Sequence, residues 1–281
     1  GGVELRTERG SLTAKTVAAC DGTGSGVRRG LGVGEACRKG HLYVLDTELQ
    51  PGDELLRRGV CDFDLSCTAR GVEGYTWAFP TPLHGATAVS FGIYHANLRG
   101  SAPVKDALAE ALGRRGVRLS EVRLRPFSTR PFVRGAPLGL GPVLFVGEAA
   151  GIDAATGEGI AQALLMGGYA AQALGRALRG AGAPLPLYAR ALGPTLLLRR
   201  LHQSAWLAAR VYGRSGAPYR RLLVRSPAAV AAGARWYEGE RLSLGTKARL
   251  AAGLVRSGLE VARGARARES SAPEAKDLAS G

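Results

Sequence analysis

The 281-residue chain has only four cysteines, Cys20, Cys37, Cys61 and Cys67, none in C-x-x-C spacing and none with a zinc-type histidine nearby. That scarcity excludes a disulfide-framed scaffold and a zinc ribbon, and reads as reduced structural thiols of a cytosolic protein. The histidines His41, His84, His95 and His202 are scattered, so neither a metal site nor a Ser-His-Asp arrangement has local support. No run of about 18 uninterrupted apolar residues occurs, which argues against a transmembrane helix. The opening Gly1-Gly2-Val3-Glu4-Leu5-Arg6 has the character of neither a signal peptide nor a transit peptide. Acids are scarce in the final third. Arg176 to Arg268 holds 18 Lys/Arg against 3 Glu, leaving 20 basic and 20 acidic residues elsewhere, so this stretch carries the whole formal charge of +15. Without aromatic interleaving or a nucleic-acid module, such a face reads as solvated, or as a peripheral contact with anionic membrane; no nucleic-acid partner is expected.

What is present is an ordinary globular composition, 46% apolar and 22% charged, with length enough for a sizeable core. The chain is organised around Gly141 to Leu178. Val143-Leu144-Phe145-Val146 has the length and β-richness of a buried strand. Gly147-Glu148-Ala149-Ala150-Gly151 follows, small enough for close backbone approach. Thr156-Gly157-Glu158-Gly159 then starts a long helix with unpaired N–H groups pointing outward. A strand, a glycine-lined turn and a helix N-terminus suit a negatively charged or electron-rich ligand, or else a tight connection packed for its own sake.

Upstream, Val3 to Thr7 and Leu12 to Cys20 read as strands joined by a turn at Glu8 to Ser11. Asp21-Gly22-Thr23-Gly24-Ser25-Gly26-Val27-Arg28-Arg29 follows. Its acid can accept from a hydroxyl, Ser25 can cap a short helix near Val27, and Arg28 can reach a phosphate or a structural acid. His41 to Leu49 and Gly59 to Cys67 read as strands around a turn at Pro51-Gly52, and Gly74 to Pro80 and Ala86 to Tyr94 as a hairpin. Tyr75, Trp77 and Phe79 alternate on one strand face, where they either plug a core or wall a cavity. Val104 to Arg115 fits an amphipathic helix with Val104, Ala107, Leu108, Ala111 and Leu112 inward. Val117 to Arg125 alternates as a strand. From Leu185 the pattern is helical, broken at Pro194, Gly213 to Pro218 and Pro227, and the end is polar and Ala/Ser-rich. Gly167-Gly168 inside the long helix points to close packing against sheet or ligand.

Three strings in order carry a family resemblance. D-G-T-G-S-G-V-R resembles the D-G motif of FAD-dependent oxidoreductases of the p-hydroxybenzoate hydroxylase and geranylgeranyl reductase type. G-Y-T-W-A-F-P resembles the Y-x-W-x-F-P motif of geranylgeranyl reductases, and G-E-A-A-G…T-G-E-G-I the second flavin-binding motif. Glu148 replaces the usual aspartate and Cys20 a common alanine. The resemblance implies an α+β fold of α/β derivation. Its parts are the remainder of a Rossmann-like FAD-binding domain (1–40), a mostly antiparallel β-sheet substrate domain (41–135), the second flavin motif with its helix (136–180), a helical region (181–264) and a disordered tail (265–281).

The same resemblance implies FAD held by Asp21, Gly22, Ser25, Arg28, Gly147, Glu148, Ala149, Gly151, Gly157, Glu158, Gly159 and Ile160. NAD(P)H or another donor would serve as reductant, and Tyr75, Trp77, Phe79 and Pro80 would line the cavity of a small hydrophobic substrate, such as a prenyl lipid. In the family the Gly157 helix end faces the flavin N1/C2=O edge, and reduction of a carbon–carbon double bond takes hydride from flavin N5 and a proton from elsewhere. Cys67, Tyr75 and His84 are proton sources on residue type alone, so no catalytic residue is assigned. Flavin monooxygenases and halogenases share the first and third motifs. The family's G-x-G-x-x-G fingerprint, far upstream of the D-G motif, has no counterpart here. The chain then reads as a truncated product, a fragment or one part of a split protein whose ADP-binding half sits on a separate chain. If no flavin binds without that half, it is an inactive remnant.

Overall fold

The computed structural model describes residues 2–270 except 36, 84 and 155, and for 86 and 265–270 the backbone alone. Its described residues divide into two compact units, one reaching Tyr212 and one starting at Gly213.

The first unit mixes three sheets with helices, an α+β arrangement. β1 (Val3–Thr7) and β2 (Gly10–Ala14) form an isolated antiparallel hairpin. The expected single strand from Leu12 to Cys20 breaks at Lys15-Thr16. β3 (Val17–Ala19) joins a different sheet, where the Val17 N–H donates to the Pro142 carbonyl. The short α1 (Gly26–Gly30) and then β4 (Gly40–Glu48) follow, with α2 (Glu54–Arg57) after the Pro51-Gly52 turn. The strand expected over Gly59 to Cys67 shrinks to β5 (Asp62–Asp64). The Asp64 carboxylate accepts the Ser66 N–H and starts a 3-10 turn instead.

β6 (Gly74–Leu83) and β7 (Ala86–His95) make the hairpin read from the alternation, in a register pairing Tyr75 with Tyr94 and Trp77 with Gly92. α3 (Val104–Gly113) buries the five apolar residues its spacing nominated. The strand expected at Val117 to Arg125 is absent: a 3-10 turn occupies Leu119–Glu121, closed by Glu121 on the Arg118 backbone and side chain. The strand β8 (Arg125–Thr129) lies beyond it. These strands build an antiparallel sheet in the order β5-β6-β7-β4-β8. Side-chain alternation sends Ala78, Val89, Phe91 and Ile93 to one face, into a core with α3 and Cys67. Tyr75 and Trp77 go to the other.

β9 (Gly139–Leu140) and β10 (Val143–Phe145) complete the third sheet, β3-β10-β9, in which β3 and β10 run parallel. β10 is wholly buried. Beyond it run α4 (Ile160–Leu178), α5 (Pro184–Leu192) and α6 (Leu196–Val211). Tyr188 of α5 donates its hydroxyl to the Phe145 carbonyl, tying helix to strand inside the second core. Thr195 caps α6 by accepting the Leu198 N–H.

The second unit is helical: α7 (Ala217–Arg225), α8 (Pro227–Tyr237) and α9 (Leu244–Ser270). The prolines fall in the first turns of α7 and α8, where a missing N–H costs nothing. The expected tail from 265 is helical backbone as far as 270, and its remainder lies outside the described residues. No described helix is long and apolar enough to cross a membrane.

Candidate functional site

The D-G segment turns as its residues dictate. Ser25 is the N-cap of α1 and accepts the Arg28 N–H, while the Asp21 carboxylate accepts the Val27 N–H at 3.0 Å. Burial pushes the Asp21 carboxyl up. Bonds from the Val27 N–H and the Ser25 hydroxyl outweigh it and hold the group below the usual carboxylate range. Gly22 sits at a positive φ beside it. Among the described residues Arg28 pairs with no acid and meets backbone carbonyls instead. Its buried guanidinium donates to the carbonyls of Ala149 (3.2 Å) and Gly34 (3.0 Å) and stacks 4.7 Å over the Phe145 ring. It therefore locks the D-G helix onto G-E-A-A-G, and desolvation lowers its pKa.

Arg130 completes that joint. Its side chain donates to the Thr23 carbonyl (2.6 Å) and the Glu148 carbonyl (3.0 Å) and pairs with Glu35, while its backbone N–H meets the Glu148 carboxylate at 2.5 Å. The same Glu148 oxygen accepts the Thr23 hydroxyl at 3.3 Å. Burial pushes the Glu148 carboxyl above its usual range, and the Arg130 N–H opposes this without cancelling it. Glu148 is thus half committed within the protein: Oε2 carries these bonds, and Oε1 points at Gly159, where an added Cβ would lie 3.2 Å away.

The T-G-E-G segment is organised by a residue that motif reading passed over. Asp153, 1% exposed, accepts the N–H groups of Thr156 and Gly157, both at 3.0 Å. Its other oxygen takes the hydroxyls of Tyr94 (2.6 Å) and Thr129 (2.5 Å). The helix consequently begins later than expected, at Ile160 with Gly159 as N-cap. The Gly157 amide faces Asp153 rather than outward. Among the described residues the first-turn amides of Ile160, Ala161 and Gln162 have no backbone partner, since the helical ladder starts with the Ala163 N–H on the Gly159 carbonyl. Gly157, at φ +75°, lies against the Tyr94 ring, 3.0 Å from where a Cβ would stand. Gly151 (φ +89°) likewise faces the Pro131 carbonyl at 2.7 Å. Gly147 and Ala149 are buried, Ala149 lending its carbonyl to Arg28. Burial and the Asp153 charge together raise the Glu158 carboxyl.

The aromatic strand face meets this loop. Tyr75 donates its hydroxyl to the Thr156 carbonyl at 2.6 Å. Its ring lies 5.9 Å from Tyr94 and 6.0 Å from Trp77, and Trp77 lies 6.1 Å from Phe79. Phe63, from β5, closes the row at 5.4 Å from Tyr75 and 4.9 Å from Phe79. Pro80, half-buried and opposite Val89, falls by alternation on the other face of the strand, with Ala78, and so stands apart from this aromatic row. Trp77 is 8% exposed, so part of this face is already wall.

Of the residues considered as proton sources, Tyr75 stands at the loop. Cys67 lies across the sheet in the α3 core, its thiol pushed up to about 12 by burial, and so is removed from this face. His84 lies outside the described residues. Gly167-Gly168 does not pack closely against the sheet: a Cβ at either would meet no protein atom within 4 Å. Both glycines belong to the part of α4 where Leu164 and Leu165 are exposed, rather than to its core face of Met166, Ala170 and Ala173. Among the described residues no cluster of metal-ligating side chains occurs.

The three sequence motifs therefore converge, through residues the motifs do not contain. Arg130, Thr129, Asp153, Tyr94 and Phe63 are joined to them only by the fold. The one local signal was an acid, Asp153, set in the apolar run Ile152 to Ala154.

No family model matches the chain, and no curated protein matches it. Among solved structures, it is similar to a geranylgeranyl bacteriochlorophyll reductase-like protein from Thermoplasma acidophilum, with 22% identity and a TM-score of 0.59 over 79% of this chain and 57% of that one. It is also similar to the halogenase PltM. A form in complex with FAD shows 14% identity and a TM-score of 0.51 over 79% of this chain and 50% of that one. A mercury-bound form gives 14% identity and 0.54 over 89% and 55%. The chain spans between half and three-fifths of the length of those proteins, and the likeness is one of fold.

Proposed function

We propose that this chain carries the flavin-ring side of an FAD-dependent oxidoreductase site. The observation that supports it is the meeting, at one loop, of the D-G turn, the G-E-A-A-G turn and the Tyr75-Trp77-Phe79 face, in a fold shared with a halogenase known in complex with FAD. The residues fit the ring and ribityl part of that cofactor. The amides of Ile160, Ala161 and Gln162 lack helical partners, Ile160 is 80% exposed, and no side chain at Gly159 obstructs the approach. Glu148 Oε1 and the Asp21 carboxylate are the acceptors for hydroxyls.

FAD held by these residues would supply hydride chemistry, with NAD(P)H or another donor as the reductant. This chain's part is to bind and orient. The N-terminus of α4 would favour negative charge on a ring held before it. Asp153 fixes the loop before that helix to the sheet, so the amides stay aimed. Trp77, Phe79 and Tyr75 exclude water and offer π-faces to a small hydrophobic substrate, and Tyr75 holds the one hydroxyl of this row at the loop. A prenyl lipid reduced at a carbon–carbon double bond is the substrate class favoured by the Y-x-W-x-F-P string and by the fold shared with the reductase-like protein. Likeness to a halogenase favours the second reading, oxygen-dependent hydroxylation or halogenation.

The adenine end has no G-x-G-x-x-G cradle in these 281 residues. The exposed Ile160, Leu164 and Leu165 on α4 support an ADP-binding module docking there, whether fused or on a separate chain. The test is the visible spectrum of the protein mixed with FAD. Flavin bands that co-elute with it, and that weaken in Glu148→Ala while circular dichroism is unchanged, support the reading. A colourless protein both alone and with an added module refutes it. Product mass then separates a gain of two hydrogens from a gain of oxygen or halogen.

A further inference from the structure

The second unit, from Gly213 onward, has no role in the site described above, yet its last helix has two faces of opposite use. Leu250, Gly253, Leu254, Ser257 and Val261 face inward on α9. A Cβ at Gly253 would stand 2.9 Å from Leu222 of α7, and Arg221 pairs with Glu260 at 2.6 Å, so this side is seated on its neighbour. The other side is apolar and uncovered. Leu244, Ala248, Ala251, Val255, Leu259 and Ala262 succeed one another at three- and four-residue steps, which puts them in one line along the helix. All six are exposed, Leu244 at 84%, Val255 at 65% and Leu259 at 56%. Beside that line runs a second one, Arg249, Arg256 and Arg263, spaced by sevens.

The charge around the line is one-sided. Between Gly213 and Gly264 stand ten Lys/Arg against three Glu, and two of those acids are already committed, Glu260 to Arg221 and Glu240 to Arg235. Arg249 and Arg256 form no ion pair among the described residues. They line a cavity of about 460 Å³ together with Leu222, Gly253 and the hydroxyl residues Ser226 and Thr246. Two guanidinium groups and two hydroxyls in one hollow are the groups that hold a phosphate oxyanion. An apolar stripe at the edge of such a hollow is the arrangement of a helix that lies in a membrane interface.

We infer that the second unit binds an anionic phospholipid surface, with the Leu244–Ala262 stripe of α9 entering the acyl region and the Arg249/Arg256 cavity receiving a lipid phosphate. Attraction to acidic headgroups brings the unit to the surface, and burial of Leu244, Val255 and Leu259 retains it. An antiparallel second copy is a poorer occupant, because stripe-to-stripe pairing in that orientation would bring the Arg249–Arg263 rows alongside each other. A duplex nucleic acid would satisfy the arginines and leave the stripe wet. The surface needs no flavin, so its test is independent of the site in the first unit.

The experiment is flotation of the full chain with vesicles of phosphatidylcholine alone and with phosphatidylglycerol added. Wild type should float with the anionic vesicles at low salt and partly at 0.5 M salt, since the apolar part of the contact is unscreened. Val255→Asp/Leu259→Asp should lower binding on the order of tenfold and abolish the salt-resistant fraction. Should that variant lose helix by circular dichroism, Val255→Ser/Leu259→Ser takes its place. Arg249→Gln/Arg256→Gln should erase the preference for anionic lipid. Equal retention on both vesicle types by wild type, or wild-type binding by the stripe variants, overturns the inference. So does concentration-dependent self-association that the same stripe variants abolish, which would make a second copy the occupant.

Discussion

Removing the Asp153 carboxylate tests whether one buried acid holds the loop against the sheet. In Asp153→Ala, the Tyr94 hydroxyl, on a residue 0% exposed, and the Thr129 hydroxyl, on one 7% exposed, both lose their acceptor. Each orphaned buried hydroxyl costs about 1–3 kcal/mol, and the two half-buried amides of Thr156 and Gly157 about 1 kcal/mol each. Relief from burying a carboxylate offsets part of this. The net loss is on the order of 3–6 kcal/mol, a large share of the ~5–15 kcal/mol that typically keeps a domain folded. Urea unfolding followed by circular dichroism reads the loss, and amide exchange at Thr156 and Gly157 should accelerate. Tyr94→Phe alone should cost about 1–2 kcal/mol, whereas in the Asp153→Ala background it should recover about 1–3 kcal/mol by removing the orphaned hydroxyl. If the two losses add within ~0.5 kcal/mol, the hydroxyl and the carboxylate do not act together, and the account of the loop fails.

The Glu148 carboxyl, raised by burial, binds its proton more tightly folded than unfolded. Its contribution therefore favours the fold on the acid side and is lost as pH rises from the ordinary value near 4.5 through the raised one. Subtracting the Glu148→Gln stability profile from that of wild type should show this fall, and a difference that rises with pH would contradict it. Cys20 and Cys61 are exposed and should react with a thiol reagent within the mixing phase, whereas Cys67, pushed up to about 12, should react only on unfolding. Rapid labelling of Cys67 in the native protein would move it out of the α3 core. Two glycines of the central stretch should answer oppositely to alanine. Gly157→Ala, at positive φ and against Tyr94, should destabilise by about 1–2 kcal/mol, while Gly167→Ala, helical with open space beside it, should stabilise by up to ~1 kcal/mol. Matching signs in chemical denaturation would discredit this distinction.

Local pattern was enough wherever a residue's partner lay within a turn or the next strand. The β6–β7 hairpin, the inward face of α3, the buried β10 and the Ser25 cap were legible because alternation, 3.6-residue spacing and capping chemistry act over short range. Short range also misled. The stretch read as one strand from Leu12 to Cys20 holds parts of two strands of different sheets, and the alternation after Val117 is a capped turn, since register and sheet membership depend on what pairs alongside.

The D-G, Y-x-W-x-F-P and G-E-A-A-G…G-E-G strings stand in the sequence by themselves, and so does the excess of positive charge toward the C-terminus. What brings the strings together does not. Arg130 reaches Thr23 across 107 residues, Tyr94 reaches Asp153 across 59, and Tyr75 reaches Thr156 across 81. A buried hydrogen bond forms only where the topology delivers donor and acceptor to the same place, and nothing in the neighbourhood of either residue names the other. Which amides of the α4 start stay free was settled in the same way. Asp153 takes the amides of Thr156 and Gly157, ahead of the helix, because β7, β8 and the loop meet there.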